Sequence, residues 1–253
     1  MAIRPIFTPC NCQFQLTCEV DIDFRWHAGL ALSQKRKNIQ SLHEAGRRKG
    51  IWPILEVSTK SDVGLGFRLS AFNLKVRLND GRDIPLESAF QGSKVFESGG
   101  PFHDLYGKSG ADIKKDDRLR TSGALCRFDF QGINWVLEPK TAFYDWLYIH
   151  ALDGNRELVR QLSQYEGFTD IEFNPDKSIN CQARSCALYI SLSRRNVLDT
   201  VLSDRLYFLS LLSRDSIYQS HSLNGVQGTL YHTENATTKG KKTSNARKRV
   251  RHR

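Results

Sequence analysis

The chain has 253 residues and a formal net charge of +10, and its hydrophobic and charged fractions, 40% and 25%, are those of an ordinary globular protein. No stretch approaches the ~18 to 20 consecutive apolar residues that cross a bilayer, and no apolar signal core opens the chain. We therefore expect a cytoplasmic protein with no membrane partner.

The positive charge is concentrated at the C-terminal end. Residues 236–253 hold eight Lys or Arg and no acidic residue, which leaves 29 basic and 27 acidic residues in the first 235. A basic run whose charges are separated mainly by Ser, Thr, Asn and Gly cannot bury a core, so we predict a folded domain over 1–235 and a disordered basic tail over 236–253. Such a tail either holds polyanions loosely or only keeps the protein soluble.

The spacing of the six cysteines suggests neither a disulfide framework nor a metal site. A chain of this length forms a core without disulfides. Cys10 and Cys12, followed by Cys18, lack the C-x-x-C or the nearby His pair that is typical of zinc sites. We expect small buried thiols, with no metal and no cofactor.

A basic helix and a hairpin come first along the chain. Residues 33–49 begin at Ser33, an N-cap residue type, and carry basic residues around a thin apolar stripe, which is typical of a surface helix. Its basic side faces either nucleic acid or solvent. Residues 51–57 predict a short buried strand, and the alternating residues on either side of Asn79-Asp80-Gly81 predict a hairpin.

A helix of about four turns is predicted over 85–98. Glu87, Gln91 and Lys94 stand at i, i+4 and i+7, which lines up an acid, an amide and an amine on one face. This face is either a solvated surface or a catalytic one. Gly92 costs about 1 kcal/mol relative to alanine inside a helix, and close approach of a ligand or of another backbone is a reason to tolerate it.

The second half of the chain is mainly helical. Residues 102–123, with clusters of Gly, Lys and Asp, predict a loop or broken helix at the rim of a site. Further helices are predicted over 139–154, 156–165, 182–195 and 198–213. Together these elements predict an α+β fold, mostly helical, in a single domain with a small antiparallel sheet.

Two polar segments offer groups that a nucleotide-sugar site needs. Ser58-Thr59-Lys60-Ser61 follows the buried strand and can donate hydroxyl, ammonium and backbone N–H groups to phosphate oxygens. Residues 169–175, which include Asp170, mix acids and aromatics in a loop, where binding residues often lie. Both patterns also occur in ordinary turns.

Several motifs resemble those of the NADAR family, over about residues 51 to 195. In chain order they are Ser70-Ala71-Phe72, Glu87-x-x-Phe90-Gln91-x-x-Lys94-x-Phe96, Trp135, the Asp170 loop and Asn180. The chain departs from the family where Ala71 replaces the usual Asn, where Val95 is an extra residue, and where residues 173–178 replace a glycine-rich segment.

A closer resemblance, to the DarT-associated NADAR antitoxins, covers about residues 20 to 212. The matching segments are Ser41-Leu42-His43-Glu44-Ala45, Ile54-Leu55-Glu56-Val57-Ser58, Phe96-Glu97-x-Gly99-Gly100-Pro101, Asp104-Leu105-Tyr106-Gly107 and residues 138–148. This resemblance implies an antitoxin hydrolase that removes ADP-ribose from guanine bases in DNA and so reverses a DarT-type toxin. The implied partners are ADP-ribosylated DNA, ADP-ribose as the product, and the cognate toxin.

The resemblance also implies the catalytic residues Glu87, Lys94 and Asp170. The Glu87 carboxyl group protonates the departing nitrogen or stabilises positive charge at the anomeric carbon. Lys94, with a lowered pKa, forms a Schiff base with a ring-opened sugar. Asp170 holds ribose hydroxyls or positions water.

The predicted substrate-binding residues are Ser58, Lys60, Ser70, Phe72, Gln91, Trp135, Lys140, Asn180 and Arg184. Lys60 is predicted from its residue type, and the resemblance implies the others. Among these, Asn180 or Arg184 contacts phosphate, and Trp135 either stacks on a base, worth about 1–3 kcal/mol, or packs in the core.

Two other functions remain open. The first is an N-glycosidase acting on a phosphorylated ribosylamine of riboflavin biosynthesis, which uses the same Glu and Lys but needs no basic surroundings. The second is a non-catalytic module that binds ADP-ribose or the toxin, whose function is indifferent to the loss of Glu87.

Overall fold

A computed structural model describes residues 1–10, 12, 15–175 and 178–215 of the chain. The predicted basic tail, 236–253, and the last part of the predicted 1–235 domain lie outside these residues. Within them, helices and short strands alternate, which confirms the α+β class. No helix in this part of the chain is long and apolar enough to span a membrane.

The elements are numbered in chain order. The strands are β1 Ala2–Pro9, β2 Thr17–Phe24, β3 Ile54–Glu56, β4 Lys75–Arg77, β5 Asp83–Pro85, β6 Lys94–Phe96, β7 Leu125–Phe130, β8 Ile133–Trp135 and β9 Gly167–Thr169. The helices are α1 Leu32–Arg48, α2 Gly64–Arg68, α3 Leu86–Gly92, α4 Gly110–Lys115, α5 Arg118–Thr121, α6 Ala142–Asp153, α7 Arg156–Leu162, α8 Gln182–Arg194, α9 Leu198–Ser203 and α10, residues 205–215, with a 3-10 helix at His103–Gly107.

The largest sheet has the strand order β2-β1-β9-β3. Strands β3 and β9 are parallel, whereas the other neighbours in this sheet are antiparallel. Two smaller antiparallel sheets are the predicted hairpin β4-β5 and the three-stranded β6-β7-β8. The prediction of one small antiparallel sheet therefore missed the parallel pair, whose strands lie more than a hundred residues apart in the chain.

Helices α1 and α8 cover opposite faces of the large sheet. Successive strand residues alternate between faces, so Ile6 and Ile54 pack with α1, whereas Phe7 and Leu55 pack with α8. Helix α6 packs against α8 and α3 and is buried nearly all round, as expected of the central helix of a core.

The helix predicted over 85–98 is wrong in its second half. Helix α3 ends at Gly92, and the residues from Lys94 to Phe96 pair antiparallel with β7 instead. The Gly92 carbonyl accepts the Phe102 N–H at 2.7 Å, and a Cβ on Gly92 would lie 2.6 Å from the Tyr106 ring. Gly92 thus permits close packing of the 3-10 segment, which is the second of the two reasons considered for it.

Other helix boundaries also differ from the prediction. The run predicted over 198–213 breaks at Asp204, whose carboxylate accepts the N–H groups of Leu206 and Tyr207 and so begins α10. Helix α1 begins at Leu32, so Ser33 is not its N-cap. The segment 102–123 forms short helical pieces, as expected of a broken helix.

Candidate active site

A cleft lies at the edge of the large sheet where the two parallel strands end. Ser58 follows β3 and Asp170 follows β9, and parallel strands present their carboxyl ends at the same edge, a common place for ligand sites. Helix α3 forms another wall, and the cleft has a volume of about 250 Å³. Its lining residues are Ser58, Thr59, Phe72, Glu87, Phe90, Gln91, Tyr144, Asp170, Glu172, Phe173, Ser178, Asn180 and Gln182.

Glu87 is held in the first turn of α3. Its backbone N–H donates to the Ala71 carbonyl at 2.9 Å, which fixes the start of the helix. Its Oε1 accepts a hydrogen bond of 2.9 Å from the Gln91 side-chain amide. The structure therefore bears out the predicted i, i+4 alignment of Glu87 and Gln91, and both residues line the cleft.

A run of hydrogen bonds connects Glu87 with Asp170 through Ala71 and Gln182. The Ala71 N–H donates to Gln182 Oε1 at 2.7 Å, and Gln182 Nε2 donates to Asp170 Oδ2 at 3.0 Å. Gln182 is buried at the start of α8, and no sequence motif predicted a role for it. Because only the backbone of Ala71 takes part, its replacement of the family's Asn leaves this run intact.

A second carboxyl group, Glu56, lies beneath Asp170 and is almost fully buried. It accepts hydrogen bonds from the Ser58 hydroxyl (2.6 Å), the Thr169 hydroxyl (2.6 Å) and the Ile171 N–H (2.9 Å). Burial raises the pKa of Glu56 and the charge of Asp170 raises it further; burial is also the main cause of a raised pKa at Asp170. The two carboxyl groups thus retain protons at a higher pH than isolated ones.

His43 of α1 joins this buried network. The Thr169 hydroxyl donates a hydrogen bond to Glu56, so its oxygen accepts a hydrogen bond from His43 Nε2, which is 2.8 Å away. Burial lowers the pKa of His43 to about 4, which keeps the ring neutral near pH 7. Helix α1 is therefore connected to the floor of the cleft by hydrogen bonds.

Tyr144 of α6 lines the cleft together with the two acidic residues Glu87 and Asp170. Burial raises its pKa well above the usual value, and the charges of Glu87 and Asp170 raise it further. The phenol therefore stays protonated and able to donate. Tyr144 was not among the predicted site residues, although it lies in the matching segment 138–148.

Lys94 lies on β6. The prediction that it lies on the same helix as Glu87, two turns further on, is wrong. Its Nζ is 5.2 Å from the centre of the Phe90 ring, so the amine lies beside a residue of the cleft wall without lining the cleft itself. Burial lowers the pKa of Lys94, and the charge of Glu87 partly opposes this shift. The lowered pKa agrees with the expectation for this amine.

The chain that forms this cleft, with Glu87 and Asp170 in its lining, also matches a known protein family. The family described as DarT1-associated NADAR antitoxin matches residues 2–222. The chain belongs to this family. No curated protein matches the chain.

Several residues that the NADAR resemblance implied do line the cleft. Ser58, Phe72, Gln91 and Asn180 are among its walls, whereas Lys60, two residues after Ser58, does not line it. The Ser58 hydroxyl is already committed to Glu56. Asn180 Oδ1 is buried and has no hydrogen-bond partner among the described residues, so it can accept a donor from a ligand.

Ser70 and Trp135, by contrast, lie in the interior of this NADAR domain. Trp135 is 2% exposed and packs against Phe143 and Trp146, so the structure places it in the core and not where it can stack on a base. Ser70 is fully buried, and its hydroxyl donates to the Phe67 carbonyl within a turn.

Lys140 and Arg184 line a different cavity, of about 370 Å³. Arg184 forms ion pairs with Asp145 at 2.6 Å and Asp215 at 3.6 Å. Its guanidinium therefore compensates buried carboxylates, and the structure does not bring it to the cleft as the predicted phosphate contact.

Proposed function

We propose that this cleft hydrolyses the N-glycosidic bond between ADP-ribose and a guanine base in DNA, and so reverses a DarT-type toxin. The family match supports the antitoxin role. The observation that carries the chemistry is the hydrogen-bonded run from the Glu87 backbone N–H to the Asp170 carboxylate, which fixes two acidic residues at the wall of one cleft.

The two carboxyl groups have complementary roles in this proposal. When the glycosidic bond breaks, its electron pair goes to the guanine nitrogen, which takes a proton from Asp170, the group with the raised pKa. The Glu87 carboxylate stabilises positive charge at the anomeric carbon and accepts the proton of the water that adds there. Water thus supplies hydroxyl to the sugar and a proton to the enzyme.

Lys94 offers a second route through the same site. When guanine is attached through its exocyclic amine, ring opening of the ribose leaves C1 as an imine of guanine. A lysine with a lowered pKa has a larger fraction of neutral amine, which adds to this imine, expels guanine with its amine protonated and forms a Schiff base. Water then hydrolyses the Schiff base, which frees ADP-ribose and restores the lysine. The lysine lies beside Phe90, so the sugar must extend past that ring to reach it.

The surroundings of the cleft support a large, anionic substrate. Pockets for drug-sized ligands span roughly 300–1,000 Å³, so a cleft of about 250 Å³ holds the reacting ribosyl group and leaves the rest outside. Helix α1 borders the cleft, since Lys35 pairs with Glu172 at 2.8 Å. A neighbouring groove of about 590 Å³ presents Arg36, Lys37 and Trp52, groups that suit phosphates and bases.

The small volume of the cleft also favours a second candidate, the glycosidase that acts on a phosphorylated ribosylamine. One experiment separates the two: the protein is incubated with a guanine-ADP-ribosylated oligonucleotide and, in parallel, with the small ribosylamine, and free sugar product is measured. Release of ADP-ribose from the oligonucleotide alone supports the proposal. Turnover of the small substrate alone supports the glycosidase, and turnover of neither leaves a binding module.

A further inference from the structure

Three thiols converge at the end of the β1-β2 hairpin where the chain passes from β1 to β2, away from the residues assigned to the cleft. Cys10 directly follows β1, and Cys18 lies in β2 opposite Thr8. The sulfur atoms of Cys10, Cys12 and Cys18 all lie within 4.8 Å of one another, and those of Cys10 and Cys12 are 2.8 Å apart. The expectation of buried thiols is wrong for Cys12 and Cys126, which are exposed, and Cys18 is only partly buried.

We propose that Cys10, Cys12 and Cys18 form a three-thiolate site for a thiophilic divalent ion of the Zn²⁺ type. A Zn–S bond is about 2.3 Å, so tetrahedral ligands place their sulfur atoms about 3.8 Å apart. The Cys10–Cys12 sulfur separation of 2.8 Å is shorter than this value and the other two are at most 4.8 Å, so side-chain rotation suffices to reach it. Water completes the coordination. The C-x-x-C rule missed this set because the hairpin, and not the local spacing, brings Cys18 to the CxC pair.

The surrounding backbone is arranged to support such an ion. Arg195, at the end of α8, donates to the carbonyl groups of Cys10, Cys12 and Gln15. Ser191 donates to the Cys10 carbonyl as well, at 3.2 Å. These contacts place a fixed positive charge beside the backbone of Cys10 and Cys12, which offsets the net negative charge of three thiolates and one divalent ion. Arg195 and Ser191 thereby attach the residues that carry the thiols to α8.

The test uses the full chain, reduced and freed of metal, titrated with Co²⁺ as a spectroscopic probe. We expect an intense sulfur-to-cobalt charge-transfer band that saturates at one ion per chain and disappears when Zn²⁺ is added. At a hundredfold excess of Zn²⁺ over its dissociation constant, we expect the midpoint of thermal unfolding to rise by roughly 5 °C.

Three single variants keep the proposal open to refutation. Cys12→Ser and Cys18→Ser are each expected to weaken Co²⁺ binding at least about tenfold, because each removes one thiolate. Cys126→Ser removes an exposed thiol outside the cluster and is expected to leave binding unchanged. A charge-transfer band that is absent, or that survives both cluster variants, overturns the proposal, as does a stable Cys10–Cys12 disulfide in the presence of reductant.

Discussion

Gln182 is the residue whose replacement most sharply tests how the site is held together. Its amide makes buried hydrogen bonds at both ends, to the Ala71 N–H and to Asp170. Gln182→Leu conserves approximate size but leaves the Ala71 N–H without its partner, which costs about 1–3 kcal/mol of unfolding free energy. For a domain of this size, that corresponds to a fall of roughly 2–12 °C in the unfolding midpoint.

The same change is expected to reduce activity beyond its effect on stability. Asp170 loses one of its donors, and Ala71, whose carbonyl accepts the Glu87 N–H at the start of α3, loses the partner of its own N–H, so both carboxyl groups become less well placed. We expect kcat for ADP-ribose release to fall about 10- to 100-fold, measured well below both unfolding midpoints. Gln161→Leu is the matched control, since its amide also bonds one acid, Glu157, but on an exposed helix face.

Two results would refute this reasoning. If Gln182→Leu unfolds at the same midpoint as Gln161→Leu, the buried hydrogen bonds contribute nothing to stability. If the midpoint falls while kcat and KM stay at the wild-type values, the run from Glu87 to Asp170 stabilises the domain without positioning the carboxyl groups.

Three further predictions concern the surface charge of α1, the titration of Asp170 and the amine of Lys94. Changing Arg36 and Lys37 together to Glu is expected to reduce the slope of log affinity against log salt for an oligonucleotide by roughly 2, because two phosphate contacts are lost. The control is the same charge reversal at the exposed Lys75 and Arg77, and an equal effect of both pairs contradicts the role of α1. Because the folded-state pKa of Asp170 is raised, its contribution to stability is present at acid pH and is lost as the pH rises from about 4 through neutrality. Thermal unfolding at several pH values should show a smaller loss in Asp170→Asn than in the wild type. An unaltered pH dependence in this variant contradicts the raised pKa of Asp170. Borohydride added during turnover is expected to reduce the Schiff base and so attach the sugar covalently to the protein, an adduct that Lys94→Arg should abolish. If Lys94→Arg retains full turnover, the Schiff-base route is eliminated.

The parts of the site that depend on local spacing were predictable from the sequence. Glu87 and Gln91 lie one helical turn apart, and that relation holds because the first two turns of α3 form as expected. Lys94 was assigned to the same helix, but pairing of its backbone with Phe128 draws it into a strand. This pairing depends on a segment more than thirty residues away, which local periodicity does not report.

Long-range contacts also explain the other differences. Arg184 was predicted to bind phosphate, yet its charge is compensated by Asp145 and Asp215, residues far from it in the chain. Trp135 is a residue type with two common environments, and its rings pack against α6. Gln182 had no signal of its own, because its importance comes from joining two segments.

The central claim is tested most directly by the carboxyl group of Glu87. Wild-type protein, Glu87→Gln and Glu157→Gln are compared in a single-turnover assay of ADP-ribose release from a guanine-ADP-ribosylated oligonucleotide. Both acids accept a hydrogen bond from an amide four residues on, but Glu157 is exposed on α7. We predict that Glu87→Gln slows release at least about 100-fold and that Glu157→Gln retains the wild-type rate. Release by Glu87→Gln at the wild-type rate would contradict the account.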